Sequence, residues 1–209
     1  MSNPTQLLMT GPADATLTVV LAHGAGAGMR SDFMNAFAEG LAAEHIRAVR
    51  FEFPYMAARQ QSASKRPPDR EPVLRKSWQQ VIDQLAAESL VIGGKSMGGR
   101  IASLVADEVG VAGLVCLGYP FHPIGKPAKL RVEHLRSLNT PTLIIQGERD
   151  PFGNRAEVAT YGLAPTIEVH WIADGDHSFK PRKASGHTQQ GNWRQAITAV
   201  AEFVKGLKK

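Results

Sequence analysis

The chain has 209 residues, 43% hydrophobic and 21% charged, which suits one globular domain with a sizeable core and excludes a disordered or low-complexity chain. Its formal charge of +5 invites a nucleic-acid partner, but no basic helix, zinc spacing or aromatic-basic motif accompanies the excess, so none is expected. The first apolar run is too short for a signal segment or a membrane span and no Lys or Arg precedes Arg30, so no membrane partner is expected and the cytoplasm is the expected compartment.

Residues 1–15 read as an N-terminal extension. Beyond them, short apolar runs alternate with longer stretches of helical periodicity, the pattern of a mostly parallel sheet covered by helices on both faces. Six strands are predicted, at Leu17–Ala22, Ile46–Phe51, Leu90–Gly93, Gly113–Leu117, Thr142–Gln146 and Thr166–Ile172. Several are unbroken Val/Ile/Leu runs, as expected where both faces of a strand are buried. Helices are predicted at Ser31–Glu44, Val73–Glu88, Met97–Val109, Glu133–Leu138, Arg155–Tyr161 and Asn192–Leu207. Ser31, with Asp32 in the turn after it, is a natural N-cap for the first. The lone cysteine, Cys116, lies inside an apolar strand and reads as a buried thiol. Two connections, Pro54–Pro72 and Tyr119–Leu130, are long and proline-rich. Because each follows a strand, both should border any site at the carboxyl edge of the sheet.

The strongest chemical signal follows the third strand. Gly94-Lys95-Ser96-Met97-Gly98 is a G-x-S-x-G turn with a strand before it and a helical pattern after it, the setting that lifts a serine hydroxyl above a sheet. Two phosphate-binding readings of these glycines fail on spacing. A Walker A loop needs glycine where Ser89 stands, and a dinucleotide fingerprint starting at Gly24 needs glycine where Met29 stands. Gly28 leaves a weaker phosphate cradle open.

A serine nucleophile needs a base, and the base needs a carboxylate to hold its tautomer. Gln146-Gly147-Glu148-Arg149-Asp150 follows the fifth strand and Gly175-Asp176-His177 the sixth, so Asp150 and His177 are assigned. Glu148 and Asp176 compete with Asp150, and His187 competes with His177. His45, His134 and His170 lie in or beside helices or a strand and read as surface or core residues. After the first strand, His23-Gly24-Ala25-Gly26-Ala27-Gly28 leaves backbone amides free to meet a developing oxyanion. Its expected donors are the N–H groups of Met97 and Ala25, with Gly26 a second candidate, and His23 is expected to brace the loop. No spacing of His, Cys, Asp and Glu suggests a metal, and no cofactor is implied.

With these motifs in place, the chain from Leu17 to Leu207 resembles the α/β-hydrolase superfamily. The three motifs around His23, Ser96 and His177 look like its small, cap-less bacterial branch, similar to dienelactone-hydrolase-like proteins and to the hydrolase-like domain of an animal nonspecific-lethal complex subunit and a testis-expressed protein. The resemblance implies a three-layer αβα sandwich of about six strands, in the order 4-3-5-6-7-8 of the superfamily's usual naming, with the first two strands missing. It implies a serine hydrolase acting on an ester, thioester or lactone of a small acyl substrate. A non-catalytic interaction protein and a transacylase with the same triad are the alternatives. Basic residues after three strands (Arg59, Lys65, Arg66 and Arg70; Lys126, Lys129 and Arg131; Lys180, Arg182 and Lys183) raise the expectation of an anionic substrate.

Overall fold

The computed structural model describes residues 5–62, 66–85 and 89–207. Seven strands form one sheet: β1 (Leu7–Thr10), β2 (Thr18–Ala22), β3 (Arg47–Phe51), β4 (Leu90–Lys95), β5 (Gly113–Leu117), β6 (Thr142–Gly147) and β7 (Ile167–Ile172). Their spatial order is β1-β3-β2-β4-β5-β6-β7. Strands β2 to β7 run parallel, while β1 is antiparallel to β3, with Leu7 opposite Phe51 and Thr10 opposite Ala48. Sheets of this kind bind ligands beyond the carboxyl ends of their strands.

The helices are α1 (Asp32–Ala43), α2 (Pro54–Ser62), α3 (Glu71–Leu85), α4 (Met97–Val109), α5 (Arg155–Val158) and α6 (Gln189–Gly206). Alternate residues of each strand serve opposite cores, as the two-residue repeat of a strand requires. Val19, Leu21, Val91, Val115 and Leu143 pack with Met34, Phe37 and Leu41 of α1 and Val200 and Val204 of α6. Val20, Ile92, Leu114 and Ile144 pack with Trp78 and Val81 of α3 and Ile101 and Val105 of α4.

All six predicted strands are present, and Ser31 caps α1 by accepting the Met34 amide. Four expectations need correction. The segment read as an extension contains β1, so the sheet has seven strands and lacks one strand fewer at its start than the resemblance implied. Only four residues long, with Met9 exposed, β1 is too short to show a period. The loop from Pro54 contains α2, opened by Pro54 at its first position, where the missing N–H costs nothing. Its buried residues, Tyr55 and Met56, are adjacent rather than three or four apart, so no apolar stripe betrays it. Glu133–Leu138 is a short 3-10 turn over Glu133–Arg136, and Arg155–Tyr161 shortens to a single helical turn closed by an Asn154–Glu157 capping box. The expected end of α3 at Glu88 lies outside the described residues.

Candidate active site

Between β4 and α4 the chain reverses within one residue. Ser96 has φ +51° and ψ −115°, a left-handed conformation that a side-chain-bearing residue adopts only under constraint, at a cost of about 1–3 kcal/mol. The constraint comes from the glycines around it. A Cβ at Gly94 would lie 2.1 Å from the Ala22 carbonyl oxygen, and one at Gly98 would lie 2.4 Å from the same atom. Only glycine lets β2 approach this closely, so the spacing seen in the sequence is a packing requirement. The Ser96 amide is tied to the Leu117 carbonyl at 2.9 Å, which fixes the turn over the edge of the sheet.

His177, 81 residues downstream, brings its Nε2 to 2.9 Å from Ser96 Oγ. Its Nδ1 lies 2.8 Å from Asp150 Oδ2. An ionised carboxylate can only accept, so Nδ1 carries the proton and Nε2 is left to accept from the serine. Asp150 is 1% exposed and is itself oriented by Gln146 Nε2 at 3.0 Å and by the Phe152 amide at 2.9 Å. Burial lowers the pKa of His177 below the ordinary histidine value; the Asp150 hydrogen bond opposes the shift and the Lys95 charge adds to it. A neutral imidazole next to the hydroxyl is the form a general base needs.

The competing residues are engaged elsewhere. Asp176 Oδ1 closes its own turn by accepting the amides of Ser178 and Lys180, and Glu148 accepts the Asp174 amide and pairs with Arg155. His187 is exposed, with its amide on Ser185 Oγ. His134 bonds Ser103 at 2.8 Å, His170 faces Gln195, and His45 faces Asp14. Gly28 does not form a phosphate cradle. A Cβ there would touch Glu52 Oε1, which already accepts the Met29 amide, so the loop holds a carboxylate where a phosphate would need donors.

The loop after β2 is pinned through its carbonyls. His23 Nδ1 donates to the Gly24 carbonyl at 2.7 Å while its Nε2 accepts the Phe53 amide at 3.1 Å; burial pushes its pKa down to about 4, so it stays neutral. From α2, Tyr55 Oη lies 3.2 Å from both the Gly24 and Ala25 carbonyl oxygens, and Arg59 donates to Ala25 at 3.2 Å. In a planar peptide the N–H points opposite to the C=O. Holding the carbonyls of Gly24 and Ala25 toward α2 therefore turns the amides of Ala25 and Gly26 the other way. Among the described residues neither amide, nor that of Met97, has a hydrogen-bond partner.

Two cavities meet at Ser96 and share Ala25 and Phe152. One, of about 360 Å³, is lined by Phe33, Met34, Lys95, His177 and Ser178; the other, of about 300 Å³, by Met97, Leu74, Ile101, Pro120 and Arg131. A groove of about 390 Å³ over His170 and Arg194 contains none of these site residues.

Several members of the site carry no sequence signal of their own. Lys95 sits in the variable position of the motif, yet it is buried, donates from Nζ to the His177 carbonyl at 2.6 Å and lies 5.5 Å from the Phe33 ring centre. Burial pulls its pKa down to about 8, against the Asp150 and Asp176 charges. Phe152 packs on the His177 ring at 4.3 Å. Tyr55 and Arg59 became visible only with α2. Among the basic residues, Lys65 lies outside the described residues, Arg182 pairs with Asp174, and Lys126, Lys129 and Lys180 are exposed. The described residues include no group of three or more His, Cys, Asp or Glu that could hold a metal, and none of their helices is long and apolar enough to cross a membrane.

Comparison with solved structures places this architecture among known ones. Est1E from Butyrivibrio proteoclasticus, solved with ferulic acid bound, aligns over 98% of this chain and 95% of its own at 14% identity, with a TM-score of 0.74. A monoacylglycerol lipase from Paleococcus ferrophilus aligns over 97% of this chain and 99% of its own at 14% identity, also with a TM-score of 0.74. An α/β serine hydrolase without lid from Xanthomonas campestris aligns over 96% and 86% at 16% identity, with a TM-score of 0.62. At these identities the likeness is one of fold. Residues 15–205 match the family model of the alpha/beta hydrolase domain, and the chain belongs to that family.

Proposed function

We propose that this protein is a serine hydrolase that cleaves an ester of a small acyl group through an acyl-enzyme. The observation that carries the reading is the continuous hydrogen-bonded line from Ser96 Oγ through His177 to the buried Asp150, at 2.9 and 2.8 Å. Ser96 Oγ attacks the carbonyl carbon as its proton passes to His177 Nε2. The carbonyl oxygen takes up negative charge and is met by the free amides of Met97 and Ala25, the latter chosen over Gly26 because Ala25 borders both cavities. Collapse breaks the bond to the leaving oxygen, which receives the proton from His177. A water molecule, deprotonated by the same histidine, then releases the acid and restores Ser96. Asp150 stays ionised and stabilises the imidazolium.

The similar structures with esterase-like and lipase names support an ester as substrate, and the modest size of both cavities supports short chains. A fluorophosphonate should label Ser96, and Ser96→Ala should abolish labelling and lower kcat/KM on short 4-nitrophenyl esters by about 10³-fold or more. A wild-type protein that takes no label and turns over no ester would point to a scaffold. Ester formation from an added alcohol in preference to hydrolysis would point to a transacylase.

A further inference from the structure

The two cavities at Ser96 differ in what they offer a substrate. In any acyl transfer of the kind proposed above, the leaving oxygen must lie beside the histidine that protonates it. The cavity containing His177 and Ser178 therefore takes the leaving group, and the cavity bordered by Met97 and Arg131, to which His177 does not contribute, is left for the acyl chain.

Four charged side chains line that acyl cavity, and three of them are accounted for. Glu71 pairs with Arg100 at 2.9 Å, and Asp69 accepts the Tyr55 amide at 2.9 Å at the start of α2. The guanidinium of Arg131 makes no hydrogen bond or ion pair with any described residue. It is partly buried beside apolar walls that include Leu74, Ile101 and Pro120. Burial and the neighbouring Arg100 charge both lower its pKa, so holding this cation here is costly and no ion pair among the described residues offsets it. Its backbone, by contrast, is held on both sides. The Arg131 amide donates to the Phe121 carbonyl at 2.8 Å, and the Tyr119 hydroxyl donates to the Arg131 carbonyl at 2.9 Å. A fixed main chain with an uncommitted planar fork is a preorganised carboxylate receptor.

We infer that Arg131 receives a carboxylate at the far end of the acyl group, so that the preferred substrate is the monoester of a short dicarboxylic acid. The inference rests on the reading of Ser96 as nucleophile. Asp69, which forms no ion pair among the described residues, limits the negative charge the cavity accepts and favours a single carboxylate over a phosphate dianion.

Mono-4-nitrophenyl glutarate and 4-nitrophenyl butyrate test this, since they share a leaving group and differ chiefly in the terminal carboxylate. The expected kcat/KM ratio favours the glutarate ester by about tenfold or more. Arg131→Gln should bring the ratio close to one, mainly through KM, and Arg131→Lys should fall between because it keeps charge and loses the fork. Lys205→Gln, exposed on α6 and in neither cavity, should retain the ratio. Binding of free glutarate to Ser96→Ala protein, with and without Arg131→Gln, reads the site independently of turnover. Butyrate hydrolysis with no glutarate preference and no Arg131-dependent glutarate binding overturns the inference and leaves the hydrolase standing. Arg131-dependent binding without turnover of either ester does the reverse.

Discussion

Lys95 illustrates how one buried side chain can serve both geometry and charge. Its Nζ anchors the backbone of the catalytic-histidine candidate, and its positive charge opposes protonation of the His177 ring. Both effects act in the same sense for a base, because activity is lost as pH falls through the His177 pKa and that pKa lies below the ordinary histidine value. Activity should therefore persist at more acidic pH than an unperturbed histidine allows. Lys95→Met removes the charge, so the acid limb of kcat/KM should move to higher pH, and kcat should fall about tenfold as the histidine loop loosens. A pH–rate profile over the acid range checks both. An unmoved limb with a lowered rate would leave Lys95 a purely structural role. At pH above about 8 Lys95 itself loses its proton, but His177 is already neutral there, so the base form is unaffected.

At the scale of elements, α2 is the piece that turns a flexible glycine loop into a fixed set of donors. The helix starts where Asp69 accepts the Tyr55 amide, which does the work of an N-cap from a distant loop. Tyr55 is 2% exposed, and its hydroxyl reaches the two carbonyls that orient the loop. Tyr55→Phe keeps the packing and removes that hydroxyl, leaving His23 and Arg59 to hold the loop. The expected result is a fall in kcat of about tenfold with KM nearly unchanged, smaller than the loss of a direct oxyanion donor, which costs about 10² to 10³. Steady-state kinetics on a neutral ester measures it. An unchanged kcat would mean that His23 and Arg59 suffice to hold the loop. None of this coupling can be read from the segment 54–72, where prolines signal a loop and the two buried residues share no helical period.

Over the whole molecule, the excess of positive charge acquires a direction from the topology. Arg66 and Arg70 follow β3, Lys126 and Lys129 follow β5, and Lys180 and Lys183 follow β7, all exposed and all beyond carboxyl ends of parallel strands. That is the edge on which Ser96 stands. A field of this sign raises the local concentration of an anionic ester and is screened over about 10 Å at 0.1 M salt. Raising ionic strength from about 10 to 150 mM should lower kcat/KM for the glutarate monoester severalfold and leave the butyrate ester nearly unaffected. Equal salt dependence for the two esters would remove the steering role and leave the basic surface to solubility.

By itself the sequence determined what acts over a few residues. The apolar runs gave the six parallel strands, and the glycine spacing around Ser96 gave the turn because only glycine tolerates the Ala22 carbonyl at that distance. It also supplied the order of Ser96, Asp150 and His177 at successive strand ends. Local signals favoured Asp150 over Glu148 and Asp176, three carboxylates in similar post-strand loops, but could not show which of them meets His177. The tertiary structure carries Asp150 to His177 Nδ1, while Asp176 accepts the amide of its own turn and Glu148 accepts the Asp174 amide. It likewise decided that Tyr55 and Arg59 hold the glycine loop, that a four-residue strand closes the edge of the sheet, and that the Arg131 guanidinium has no hydrogen-bond or ion-pair partner among the described residues. Each of these depends on which distant side chains meet, and a meeting across many residues leaves no period in the chain.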